Sequence, residues 1–184
     1  DFAFRLFDIA AATPLTLDAV TSGQLNPANG TQLYKFTGAA GDRLYFDPQA
    51  NTGGGEWRLL DPHGKLVFTG NFDSDRYPVT LAKNGTYTLL FEGVINGGSG
   101  TLDYNFQVSR IVDKAAALTL GETYSGSLDQ PRQNANLTFT LDEEAYILVD
   151  PLSNDGELAW TLTGPLGEVN SRNFRNSDAH DYSG

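Results

Sequence analysis

The sequence predicts an all-β chain: an antiparallel, jelly-roll-like β-sandwich module followed by a second, incomplete module of the same kind. Three observations lead there. Apolar and polar residues alternate with period two, and helical periodicity is nearly absent. Turn-forming residues interrupt the alternation at short intervals. The opening of the chain also returns about 103 to 105 residues later, a spacing of one domain rather than of a short solenoid repeat.

From the N-terminus, Asp8 precedes Ala10, Ala11 and Ala12 and is placed to cap a single helical turn, and the pattern recurs at Asp113 to Ala117. In Gln32 to Thr37, Tyr34 and Phe36 share one face. Leu44 and Phe46 share the next, then Trp57 and Leu59, then Tyr87, Leu89 and Phe91, and last Tyr104, Phe106 and Val108. These residues are the expected core, with Trp57 and Phe36 at its centre. Turns fall at Asn29-Gly30, Gly41-Asp42, Asp61-Pro62-His63-Gly64, Asn84-Gly85 and Asn96-Gly97-Gly98.

The repeat sets the domains. Arg5, Asp8 and Ala10 to Ala12 return as Arg110, Asp113 and Ala115 to Ala117, and Leu15-Thr16-Leu17 returns as Leu118-Thr119-Leu120. Ser22-Gly23 returns as Ser125-Gly126, Phe36-Thr37 as Phe139-Thr140, Asp47-Pro48 as Asp150-Pro151, and Trp57 as Trp160. Residues 1–9 then read as a tail strand of a preceding module or a connector. Residues 10–110 read as one complete module, and 111–184 as a second that lacks its last strands. With Asp at position 1 and no methionine, the sequence reads as a piece of a longer tandem array.

A module of about 100 residues buries a core without staples, in keeping with the absence of cysteine. That absence also removes disulfides, thiolate metal sites and a cysteine nucleophile. Twelve basic residues against 23 acidic ones, net −11, disfavour nucleic acid and anionic membranes as partners. No apolar run reaches the ~20 residues of a membrane span, so membrane insertion is not expected.

Several runs resemble the bacterial pre-peptidase C-terminal domain. They are Ser22-Gly23-Gln24-Leu25, Leu33 to Thr37, Gly41 to Leu44, Trp57 to Leu66, Asn84 to Leu89 and the strand from Gly100 to Val108. The resemblance covers nearly all of residues 15–109 and, more loosely, 118–184. It implies a jelly-roll-like sandwich of secreted and surface bacterial proteins, whose relatives bind calcium, collagen or polysaccharide. The tandem copy and the lack of a catalytic domain depart from the peptidase-linked setting.

Catalytic constellations are thin. His63 lies in a turn whose second-copy counterpart is Leu166, and His180 lies near the end of the sequence. No nucleophile elbow, zinc-protease helix or phosphate loop is present. Glu56 and Glu92 are candidates for a glycosidase pair, but Ala159 stands opposite Glu56 in the second copy. The metal candidates are Asp73 and Asp75 in Asn71-Phe72-Asp73-Ser74-Asp75, matched by Asn173 to Asp178, because alternating oxygen donors in a loop suit Ca²⁺. A weaker set joins Asp47 and Asn51 with Asp150, Asn154 and Asp155. Tyr45 and Tyr77 are the rings expected at the surface, too few for a sugar platform. The sequons at Asn29, Asn84 and Asn136 coincide with turns or a strand start.

The expected function is non-enzymatic: a structural or adhesive repeat of an extracellular or cell-surface bacterial protein. Its expected partners are neighbouring modules, copies of itself, a polysaccharide or a surface protein. One assembly route is strand complementation, with Phe2 to Leu6 as the donated strand. The alternative is a carbohydrate- or calcium-binding accessory module of a secreted hydrolase.

Overall fold

The computed structural model describes residues 4–52, 54–96 and 100–176. His180, Ser177, Asp178, Phe2 and the Gly97-Gly98 turn lie outside the described residues. The chain divides into two compact units, Asp1–Phe139 and Thr140–Gly184. No helix among the described residues is long and apolar enough to cross a membrane.

The first unit is a two-sheet sandwich. Its five-stranded sheet runs β1 (Thr13–Pro14), β3 (Thr31–Gly38), β8 (Gly85–Gly93), β5 (Gly55–Leu60), β6 (Leu66–Asn71). Its four-stranded sheet runs β2 (Val20–Leu25), β9 (Leu102–Ile111), β4 (Arg43–Asn51), β7 (Arg76–Thr80). The ladders are antiparallel except β1 with β3. Period-two alternation sends Tyr34, Phe36, Trp57, Leu59, Tyr87, Leu89 and Phe91 inward from the first sheet. Leu44, Phe46, Tyr104, Phe106 and Val108 meet them from the second, and all of these residues are buried.

Trp57, with no exposed surface, is the hub. Its ring meets Phe46, Phe68, Phe72 and Phe106 edge-on, at 5.8, 6.1, 4.9 and 6.4 Å between centroids. Between the sheets, the Tyr34 and Tyr104 hydroxyls share a 2.7 Å hydrogen bond, and burial raises both above the usual phenol range. A Cβ at Gly23 would collide with the Tyr104 hydroxyl, which fixes glycine there.

The two Asp-Ala patterns behave differently. Asp8 caps a 3-10 turn over Ile9–Ala11 and accepts from the Ala10 N–H at 2.9 Å, as expected. Lys114–Ala117, expected to form a similar turn, is instead strand β10, paired in parallel with β11 (Ala135–Thr138). Asp113 is drawn away from capping duty. It accepts from the Asn134 N–H at 2.9 Å and pairs with Arg43.

Local geometry recurs at the sequence offset. The pairs Thr13↔Tyr34 and Pro14↔Lys35 return as Ala116↔Leu137 and Ala117↔Thr138. The bond from Leu15 N to Lys35 O (2.8 Å) returns from Leu118 N to Thr138 O (2.7 Å). In the second unit, β12 (Ala159–Gly164) and β13 (Gly167–Asn173) form an antiparallel hairpin matching β5 and β6. Both hairpins carry a bulge at the same place, Leu59/Leu60 and Leu162/Thr163. Phe72 N donates to Gly55 O, and Phe174 N donates to Leu158 O.

The core differs between the units. Leu44, Phe46, Trp57, Leu59 and Phe72 are buried, whereas their counterparts Ile147, Val149, Trp160, Leu162 and Phe174 are only half-buried. The segment matching β4, residues 146–154, is not a strand.

Replacing the hub tests this core. Trp57→Ala should lower stability by about 3–5 kcal/mol, read from chemical denaturation. An unchanged midpoint would remove Trp57 from that role.

Candidate functional site

Beyond the core, a set of side-chain hydrogen bonds surrounds the passage from β9 into β10. Strand β9 ends at Ile111 and β10 begins at Lys114, leaving Val112 and Asp113 as the whole connection. Two glutamine side chains hold it. Gln130 Oε1 accepts from Val112 N at 3.0 Å, while its Nε2 donates to Arg110 O at 3.1 Å. Gln133, 8% exposed, donates through Nε2 to Val112 O at 2.7 Å and accepts from Asp129 N at 2.8 Å. Both backbone groups of Val112 are thus satisfied by side chains, and both amides use both ends.

Charges fix the flanks. The Arg43 guanidinium pairs with Asp113 and donates to Arg132 O at 3.4 Å. The Asn134 N–H, and then Arg43, hold the Asp113 carboxyl below its ordinary range. Lys114 binds Asp129 at 2.6 Å and lowers that carboxyl too, helped by Ser127. The Arg132 guanidinium lies 5.3 Å from the Tyr77 ring. Arg110 donates its N–H to Asp18 and pairs with Asp42 at 3.3 Å.

Comparing the copies for likeness misses Gln130 and Gln133. The turn around them matches the one around Pro27 and Gly30: Gly30 N bonds Pro27 O, and Gln133 N bonds Gln130 O. The signal lay in the difference, because proline and glycine have no side-chain donor or acceptor.

Among the residues singled out by sequence, Tyr45 departs from its expected surface position. It is 7% exposed, because its hydroxyl turns to Asp75 and donates at 2.6 Å. Burial, and then the Asp75 carboxylate, push that hydroxyl up to about 12. Tyr77 is at the surface, 74% exposed. Asp73 accepts from the Ser74 hydroxyl at 2.9 Å. One oxygen of each candidate metal ligand is therefore engaged within the protein. Phe72, between them and Asn71, is buried against Trp57 and Phe91 and pins the loop to the core. No cluster of three or more His, Cys, Asp or Glu among the described residues could hold a metal ion. Ca²⁺ takes six to eight oxygens, so carbonyls and water would have to supply most of them. Asp47 receives a 3.4 Å contact from Gln49, and Asn51 donates to Phe72 O at 3.4 Å. In the second unit Asp155 accepts from Glu157 N at 2.8 Å.

Glu56 and Glu92 stand directly opposite each other on β5 and β8. Arg58 lies between them, 3.0 Å from Glu92 and 3.9 Å from Glu56, beside an open depression of about 430 Å³ lined by Leu60, Leu66 and Thr69. Arg58 thus bridges two like charges that stand directly opposite each other across the ladder. Asp61, His63 and Lys83 also meet. Lys83 bonds Asp61 at 2.6 Å and lies 3.2 Å from His63 Nδ1. The Asp61 carboxylate accepts from the His63 and Lys65 N–H groups and so organises the β5–β6 turn. Asn84, in one sequon, accepts from Ala40 N at 2.8 Å.

No protein-family model matches the chain, and no curated protein matches it. Several solved structures are similar to it. One is Aeromonas hydrophila PliG, a periplasmic inhibitor of g-type lysozyme, at 13% identity and TM-score 0.47, covering 54% of this chain and 95% of that one. Another is the pre-peptidase C-terminal domain of a collagenase from Bacillus anthracis, at 19% identity and TM-score 0.39, covering 58% and 99%. Salmonella Typhimurium PliG is similar at 16% identity and TM-score 0.39, covering 53% and 97%.

Two measurements bear on these groups. Lys83, then the Lys65 and His63 N–H groups, hold the Asp61 carboxyl at about 2, below its unfolded value. Its stabilising effect is therefore full above about pH 4 and is lost as pH falls toward 2. Asp61→Asn should flatten the acid limb of the stability profile in that window, and an unchanged limb would clear Asp61 of the role. Calcium bound by the Asp73–Asp75 loop should raise the melting temperature over that in excess chelator; coincident melting curves would leave the loop a polar turn.

Proposed function

We propose that the chain is a non-enzymatic structural or adhesive repeat of a bacterial secreted or cell-surface protein, in which the passage from one copy of the repeat into the next is a hydrogen-bonded joint rather than a free linker. The observation that carries this reading is the capture of both Val112 backbone groups by Gln130 and Gln133. A flexible linker would leave such groups to water. The recurring pair registers support the tandem arrangement. The acidic surface, net −11, suits an exported chain that must stay dispersed among its copies. Arg58 between Glu56 and Glu92, and Asp61 engaged in its turn, support a reading without catalysis. Partners are then neighbouring modules, further copies, or a surface polymer; assembly by strand addition belongs to the same reading.

Limited trypsin digestion tests the joint. Arg110 and Lys114 should resist cleavage while exposed Arg5 is cut early. The double variant Gln130→Ala, Gln133→Ala should raise cleavage at Arg110 and Lys114 by about tenfold or more. Cutting at the joint as fast as at Arg5 in the unaltered chain would refute a fixed joint.

A further inference from the structure

Trp57 faces inward from β5, and its buried indole N–H has no hydrogen-bond partner among the described residues. A buried N–H without an acceptor is costly, and native chains rarely leave one. Gly70 stands directly opposite Trp57 on β6. The point that a Cβ on Gly70 would fill has two heavy atoms within 4 Å, outside its chain neighbours: Arg76 Nη1 at 3.6 Å and Trp57 Nε1 at 3.7 Å. Both are donors with no capacity to accept. Arg76 comes from β7, the edge of the other sheet, and its guanidinium lies 5.2 Å from the centre of the Phe68 ring. It forms no ion pair among the described residues. Asp75, next to it in sequence, accepts from the Tyr45 hydroxyl instead. Gly70 and Arg76 are half-buried, so the two donors converge at the rim of the core, between the edge strands β6 and β7.

We infer that Gly70, Trp57 and Arg76 form a binding site for a carboxylate, with the indole N–H and the guanidinium as its donors and the missing Cβ as its room. Water suits this set poorly. It accepts from both groups, but its own hydrogens find no acceptor among them. An anion needs only donors, and a guanidinium matches a carboxylate in charge and in shape. The room of one missing methyl takes a single oxygen, so a planar carboxylate places one oxygen beside the indole and the other on Arg76 at the rim. Trp57 Nε1 is covered in the empty site, so binding turns the Arg76 guanidinium from the Phe68 ring toward the ligand. A charge-assisted hydrogen bond to a carboxylate repays the lost ring contact. The second hairpin is built differently: Arg172, not glycine, stands opposite Trp160, so the site belongs to the first unit. It lies apart from the joint and does not depend on the tandem reading.

The test follows the indole N–H of Trp57 by NMR in the full chain. The two tryptophans give two indole signals, and Trp160→Phe identifies the one from Trp57. Sodium acetate is titrated against sodium chloride at equal ionic strength, and a Gly-Glu-Gly peptide blocked at both ends is titrated beside it. At least one of the two carboxylates should move the Trp57 signal downfield and saturably, while chloride does not. Arg76→Gln should weaken that binding by about tenfold or more. Gly70→Ala sets a methyl in ordinary contact with both nitrogens, so the chain stays folded and the shift is lost. A response to acetate alone makes the ligand a small free acid. A response to the peptide, alone or with acetate, makes it an acidic side chain of a partner. No response to either carboxylate overturns the site and leaves the indole to water or to a neighbouring ring. A shift that persists in Gly70→Ala, or binding unchanged in Arg76→Gln, overturns it as well.

Discussion

The fold depends on two central strands each being paired on both sides. With β8 and β9 in place, nine strands close around an aromatic core in which Trp57, Phe46, Phe72 and Phe106 meet edge to face. Among the described residues of the second unit, 146–154 have an alternation resembling that of β4 and form no strand.

The core was the most legible part of the molecule. Period two placed Tyr34, Phe36, Phe46, Trp57, Tyr87, Phe91, Tyr104 and Phe106 inside, and all are buried. The reason is geometric: a strand's side chains have two directions, so one apolar stripe decides both faces. Asp8 was legible because capping is local. Asp113, in the same pattern, was not, because its carboxylate answers to Arg43 and Asn134, which lie far away in sequence or beyond a turn. Tyr45 failed for a related reason. Its alternation points outward, yet Asp75 across the β4–β7 edge takes its hydroxyl.

The bonding around Val112 was the least legible. Nothing in Gln130 or Gln133 marks them as special, and glutamines in a turn are ordinarily solvated. Their importance arises only when Val112 passes within reach, a contact of tertiary origin. Phe72 is an intermediate case: an aromatic ring in a polar loop signals an anchor, but oxygen donors on both sides drew the reading toward metal chemistry instead.

The glutamine pair also bears on how such a chain changes over generations. Repeat proteins commonly gain and lose units by unequal recombination, which treats the copies as interchangeable. In the tandem reading proposed above they would not be: a unit carrying Pro27 and Gly30 at the clamp positions, set behind another, would have no side-chain amides with which to hold the backbone before it. Each copy would then hold a fixed rank in the series, encoded in two residues of one turn, and duplicating residues 10–110 would lengthen the chain only by introducing a loose seam.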